Sequence, residues 1–443
     1  MYLFASLALF LYPVFVVGLF IALPPRRAIF IAYLVGWMYL PLFVINLPGL
    51  PDYGKTTATN LIVLPCIILF DLSRFSRLRF SWADLAVLAW VLVPLATSLS
   101  NGLGVYDGLS SAFDHLLRYG FPYVVGKLYL SSSQDLMEFR NVYVFMALSY
   151  FPLCLFEMRM SPQLHAIVYG FAGRPSFERV PIFGPLSYPP TVFMNSAFEV
   201  NFMVLIATII VFCSCRTANP MRLHGFHAAS LFVFLFLFSV LCKKWSGIGL
   251  LLMGLTAAKT RSRGILFGLA FFPILYMTLF ISGIWRGEGL ADWVRPFSER
   301  RADSIQFRID NDNPLVQKAL ERPWLGWGGW GRNRVYNDEG NTGSVTDSHW
   351  MIILGVNGMI GLLSHFLIFA IPGFFFLSHF GPKTWDNSLS RLEFPLAIVL
   401  LLYSIDNLFN AFPNSMYPMF AGGLSCMGRR SGNSDQYDEL AGT

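Results

Sequence analysis

The chain has 443 residues, of which 55% are hydrophobic and 13% charged, with a formal net charge of +6. So few charges cannot cover the surface of a soluble protein of this length, in which about a quarter of the residues are normally charged. The surplus of Lys and Arg reports membrane topology and gives no case for nucleic-acid binding.

Apolar runs recur from end to end at lengths that match a hydrocarbon core of about 30 Å. The first, from Leu3 to Leu23, has no basic segment before it and no small-residue cleavage site after it, so it reads as a retained span. Candidate spans follow at 28–46, 58–72, 83–100, 109–130, 141–157, 193–214, 226–242, 246–258, 264–284, 349–378, 394–411 and 416–428. The predicted fold class is an all-α, polytopic transmembrane bundle of about 12–13 spans. Cys66, Cys154, Cys213, Cys215, Cys242 and Cys426 lie in or beside these runs without CxxC or metal-like spacing, and read as packing residues.

Basic residues alternate between connections. Arg26 and Arg27, then Arg74, Arg77 and Arg79, then Arg216 and Arg222, then Lys259, Arg261 and Arg263, then Lys383 and Arg391 all fall on one side. The positive-inside rule makes that side cytoplasmic, with the amino terminus outside and the carboxyl end, at Arg429 and Arg430, inside. Four regions result: transmembrane helices over 1–284, one large extracytoplasmic loop over 285–348, transmembrane helices over 349–430, and a disordered cytoplasmic tail over 431–443.

Several polar groups stand apart from this pattern. Lys243 and Lys244 occupy a turn at the outward face, either snorkelling or forming an anion site. Asp114 and Arg118 are spaced i, i+4 as a neutralised pair within the bundle, whereas Glu199 and Asp406 have no partner nearby in sequence and mark a polar cavity. The long loop carries an Arg-led polar helix from Ser304 through Arg308 to Leu320, then Pro323 and a glycine-rich turn with Gly326 and Gly328. Trp324, Trp327 and Trp330 punctuate that turn. Asp347-Ser348-His349 then leads into an apolar run whose start contains Gly358 and Gly361.

The order Arg308, Pro323-x-x-Gly326-x-Gly328, His349 and Gly358-x-x-Gly361 resembles the signature region of the O-antigen ligase and O-antigen polymerase superfamily, over about 60 residues. Members of that superfamily often carry a Ser-Arg-Gly-like basic group near a middle span, where this chain has Lys243-Lys244-Trp245-Ser246-Gly247. The resemblance implies a GT-C-like glycosyltransferase in the bacterial inner membrane that needs neither metal nor cofactor. Its donor would be a glycan on undecaprenyl diphosphate, and its acceptor a glycan or glycolipid; export or chain-length regulator proteins are possible partners.

In that scheme His349 is the base and Arg308 a catalytic cation, because an imidazole titrates near neutrality and a guanidinium fork fits phosphate oxygens. Lys243, Lys244 and Arg322 bind diphosphate, and Trp327 and Asp347 contact the acceptor sugar. Plainer readings stand beside these: an interfacial histidine as an amphipathic anchor, loop arginines paired with nearby carboxylates, and tryptophans in an aromatic belt. A lipid-linked glycan flippase is the rival from another class, and a peptidoglycan polymerase of the shape, elongation, division and sporulation class is a second. Neither the inverted repeats of a transporter nor the usual motifs of the latter are visible.

Overall fold

The computed structural model describes residues 2–47, 52–173, 187–216, 221–223, 225–329, 331–336, 344, 348–379 and 390–426. In chain order the helices are α1 (Leu3–Ala22), α2 (Pro25–Met38), α3 (Lys55–Phe70), α4 (Ala83–Ser100), α5 (Val105–His115), α6 (Phe121–Tyr129), α7 (Ser133–Met160), α8 (Leu164–Tyr169) and α9 (Ala197–Cys215). They continue as α10 (Ala228–Leu241), α11 (Trp245–Thr260), α12 (Arg263–Ser282), α13 (Leu290–Val294), α14 (Glu299–Leu320), α15 (His349–His379), α16 (Ser390–Asp406) and α17 (Met416–Ser425). The one sheet among the described residues is the two-stranded pairing of β1 (Arg222–Leu223) with β2 (Phe226–His227).

Among the described residues six helices, α1, α4, α7, α9, α12 and α15, are long and apolar enough to cross a bilayer. The protein is a multi-pass, all-α membrane protein. α1 shows why its apolar character runs all round: Ala5, Leu9, Tyr12 and Val16 are buried in the bundle, while Leu3, Leu7, Phe10 and Val14 stay exposed on the opposite side. A helix that packs with one face and meets lipid with the other has no need of a polar stripe. α9 is the central element, buried without interruption from Glu199 to Val211.

Two of the basic connections read from the sequence meet at neighbouring carboxylates of α7. Arg74 is buried and bonds Asp135 at 3.0 Å, Arg26 approaches the same carboxylate at 3.6 Å, and Arg27 pairs with Glu138. Arg216 likewise bonds the carbonyls of Ala258 and Lys259 at 3.0 and 3.1 Å, tying together two further basic connections.

Three elements differ from the sequence reading. The span expected over 28–46 is helical only to Met38, because Pro41 disfavours helix at the residue before it; the chain then runs extended, with Ile45 bridged to Tyr53. The segment expected to be a loop over 285–348 contains α13 and the 22-residue α14, which begins at Glu299 instead of Ser304. The span over 349–378 is not one continuous helix: Gly358 has φ 66° and ψ −165° in its interior.

Candidate functional site

α14 is polar along most of its length, and Asp312, Leu315, Val316 and Ala319 form its buried face at i, i+3, i+4, i+7 spacing. That face docks the helix on the bundle and delivers the glycine-rich turn to the break in α15. A break in a helix leaves carbonyls before it and amides after it without intrahelical partners. The turn supplies them: Trp327 N–H donates to Gly355 O at 2.9 Å and Gly328 N–H to Val356 O at 2.9 Å. In return Met359 N–H donates to Pro323 O at 2.7 Å and Ile360 N–H to Trp324 O at 3.2 Å.

Two backbones can meet so closely only where side chains are absent. A Cβ on Gly326 would lie 2.6 Å from Val356 and Gly358 backbone atoms, and one on Gly358 would strike the Trp324 backbone. α4 holds the turn from the other side, with Thr97 Oγ1 donating to Leu325 O at 2.7 Å and Asn101 Nδ2 to Gly326 O at 3.0 Å.

The two halves of α15 double back at this point. In a straight helix His349 and His365 would stand about 24 Å apart at 1.5 Å per residue, yet their ring centroids are 4.9 Å apart. His349 is buried within the bundle, 7% exposed. Trp350 follows it inward, its N–H on Asn407 O at 3.2 Å and its ring against Tyr276 and Phe280.

Arg308 reaches the same turn from α14. Its Nη1 donates to Phe409 O at 3.0 Å, and one helical turn later Asp312 accepts Ser348 Oγ at 3.3 Å, directly before His349. The Asp406–Asn410 turn therefore binds both Arg308 and the backbone of Trp350, which are far apart in sequence and flank His349 through Asp312–Ser348 and the 349–350 peptide. Around it, His349 Nε2, both ring nitrogens of His365 and Asp406 Oδ2 are buried without a hydrogen-bond partner among the described residues. Rings continue the polar seam: Trp90 lies 4.8 Å from His365 and 4.3 Å from His115.

The other residues singled out from the sequence sit elsewhere. Trp327 donates its indole N–H to Lys318 O at 2.7 Å, and its ring carries Lys318 Nζ at 3.9 Å and the Arg322 guanidinium at 4.5 Å. Arg322 also bonds Asn101 Oδ1, so it braces the turn to α4. Lys243, with φ 60°, and Lys244 occupy the turn between α10 and α11, where burial lowers the pKa of both ammonium groups. Lys244 Nζ stands 4.3 Å from the Phe198 ring, and the neighbouring Trp245 ring carries Arg301 of α14 at 4.8 Å. Asp347 and Trp330 lie outside the described residues.

A cavity of about 540 Å³ opens between the starts of α3 and α9, the end of α2 and the segment 411–415. Its lining includes Trp37, Lys55, Arg118, Asn195, Glu199 and Asn414, and none of Arg308, His349, Lys243, Lys244, Arg322 or Trp327. Glu199 follows Ser196, the N-cap of α9, in capping-box spacing; Ser196 Oγ accepts Glu199 N–H at 3.3 Å. Its carboxylate accepts Trp37 Nε1 at 2.7 Å, Asn195 N–H at 2.8 Å and Asn195 Nδ2 at 3.0 Å. The polar-cavity reading of Glu199 thus has a structural counterpart. Lys55 had no sequence signal beyond a lone cation before an apolar run, and His365 none beyond a lone histidine inside one. No protein-family model and no curated protein matches the chain.

Proposed function

We propose that this multi-pass membrane protein is a glycosyltransferase of the O-antigen ligase and polymerase type, moving a glycan from a polyprenyl diphosphate to a glycan or glycolipid acceptor. The observation that carries the reading is the convergence on the Asp406–Asn410 turn of Arg308 and the backbone of Trp350, the residue after His349. In the proposed reaction the acceptor hydroxyl attacks the anomeric carbon, its proton passes to His349 Nε2, and the bond from that carbon to the diphosphate oxygen breaks. The diphosphate leaves with the electron pair. Arg308 has spent one of its five N–H donors on Phe409 O, which fixes the guanidinium and leaves donors for the departing oxyanion. Because His349 is buried, the acceptor hydroxyl must reach into the bundle to meet it. In this reading the site faces the extracytoplasmic side of a bacterial inner membrane, the basic connections being cytoplasmic.

The break at Gly358 favours one second reading. Discontinuous helices are a feature of transporters, so flipping of a lipid-linked glycan without transfer is the alternative. Removal of the protein from cells separates the two. Loss of a transferase leaves the polyprenyl-diphosphate glycan on the outer leaflet, where periodate applied to intact spheroplasts oxidises it. Loss of a flippase leaves it on the inner leaflet, protected until lysis. No accumulation on either leaflet refutes both.

A further inference from the structure

We propose that the cavity beside α3 binds an acidic saccharide, with Lys55 and Arg118 holding its carboxylate or phosphate. The volume of about 540 Å³ falls in the ordinary range of ligand pockets, roughly 300–1,000 Å³. The argument is a balance of unspent donors and acceptors in its wall. Glu199 is 1% exposed and already accepts three N–H donors at 2.7–3.0 Å from Trp37 and Asn195. Asn414 spends its Oδ1 on Met416 N–H at 2.8 Å, and Thr57 and Thr59 donate their hydroxyls to backbone carbonyls.

The donors are less occupied. Lys55 Nζ makes a long contact of 3.4 Å to Trp37 O and forms no ion pair among the described residues. Arg118 commits its Nε to Asp114 at 2.8 Å; its side chain is 44% exposed, and it lines the cavity. The carboxylates that act on these cations are Glu199, which attracts Lys55 but is itself met by N–H groups, Asp114, which pairs with Arg118, and Asp52, which is exposed and screened by solvent. A donor-rich wall calls for an acceptor-rich, negatively charged ligand. Trp37, Tyr33 and Phe412 add aromatic surface of the kind that covers the apolar faces of a sugar ring.

The saccharide half of this assignment rests on the transferase reading, and the oxyanion half rests on the wall alone. Titration calorimetry of the full chain in nanodiscs tests both halves with cellobiouronic acid, cellobiose and inorganic pyrophosphate. The acidic disaccharide should bind at least tenfold more tightly than cellobiose, which differs only in lacking the carboxylate. Lys55→Met and Arg118→Met should each erase that preference. Should Lys55→Met fail to fold, Arg118→Met decides the question alone, because its side chain is partly exposed and anchored only to its own helix.

Binding of pyrophosphate without the acidic disaccharide overturns the saccharide assignment. Failure of both anions to bind, or unaltered binding in the folded variants, overturns the site itself. None of these outcomes touches the leaflet on which lipid-linked glycan accumulates, so the transferase reading stands or falls separately.

Discussion

His165 has both ring nitrogens engaged: Nδ1 meets Phe171 O at 2.8 Å, and Nε2 meets the Leu42 N–H at 3.0 Å. Only the neutral tautomer protonated at Nδ1 satisfies both, and burial lowers the pKa of this imidazole in the folded chain. The unfolded chain therefore takes up the proton first as pH falls, so the contribution of this latch is full above about pH 6.5 and is lost as pH drops toward the folded value. Hydrogen exchange at the Leu42 amide, corrected for its intrinsic rate, should show protection falling below that pH; a flat profile would refute the latch. His349 differs in leaving Nε2 without a partner among the described residues. His349→Gln should lower transfer from a polyprenyl-diphosphate donor by about 10²–10⁴-fold with little change in thermal midpoint. Full turnover in that variant would leave His349 with a packing role. Arg308→Lys should recover only part of the activity lost in Arg308→Ala, since an ammonium keeps the charge without the fork.

At the scale of elements, the broken α15 and the turn that fills its break form one unit. Gly358 lies at φ 66° and ψ −165°, a backbone region that is essentially confined to glycine. Gly358→Ala should cost about 1–3 kcal/mol for the backbone and about 1–3 kcal/mol more for the clash with Trp324. Gly249→Ala is the matched control: it is helical with nothing within 4 Å of its added Cβ, so it should be neutral or slightly stabilising. Equal thermal midpoints for the two variants would mean that the break is not required.

The sequence announced the glycines and the turn, since Pro323, Gly326, Gly328 and Gly358 are all legible as punctuation. The doubling back was not legible. The apolar run from Trp350 to Ile371 continues through Gly358, and buried and lipid-facing positions are equally apolar in a membrane helix, so periodicity carries no mark of a fold. His365 was overlooked for the same reason, because only the reversal brings it to His349.

For the molecule as a whole, the basic connections at Arg26 and Arg74 meet at Asp135, with Arg27 on Glu138 one helical turn away. Sequence also paired Asp114 with Arg118, which bond at 2.8 Å. It could not assemble the cavity, because Trp37, Lys55, Arg118, Glu199 and Asn414 come from five separated segments. Orientation is testable at exposed sites in a cysteine-free background. Asp292→Cys, where the native side chain is 82% exposed, should react with an impermeant maleimide in intact cells. Ser76→Cys, in an exposed stretch of the basic connection, should react only after permeabilisation. The reverse pattern would invert the orientation and put the site on the wrong side for an extracytoplasmic donor.

The break at Gly358 also bears on how the chain is made. The first half of α15, residues 349–357, would span about 13 Å at 1.5 Å per residue, less than half of a hydrocarbon core of about 30 Å. A segment that short is not inserted as a span in its own right. Its place depends on the turn at Pro323–Gly328, which supplies the backbone partners that lipid cannot. A chain that ends before Asp406–Asn410 lacks the turn on which Arg308 and Trp350 are moored.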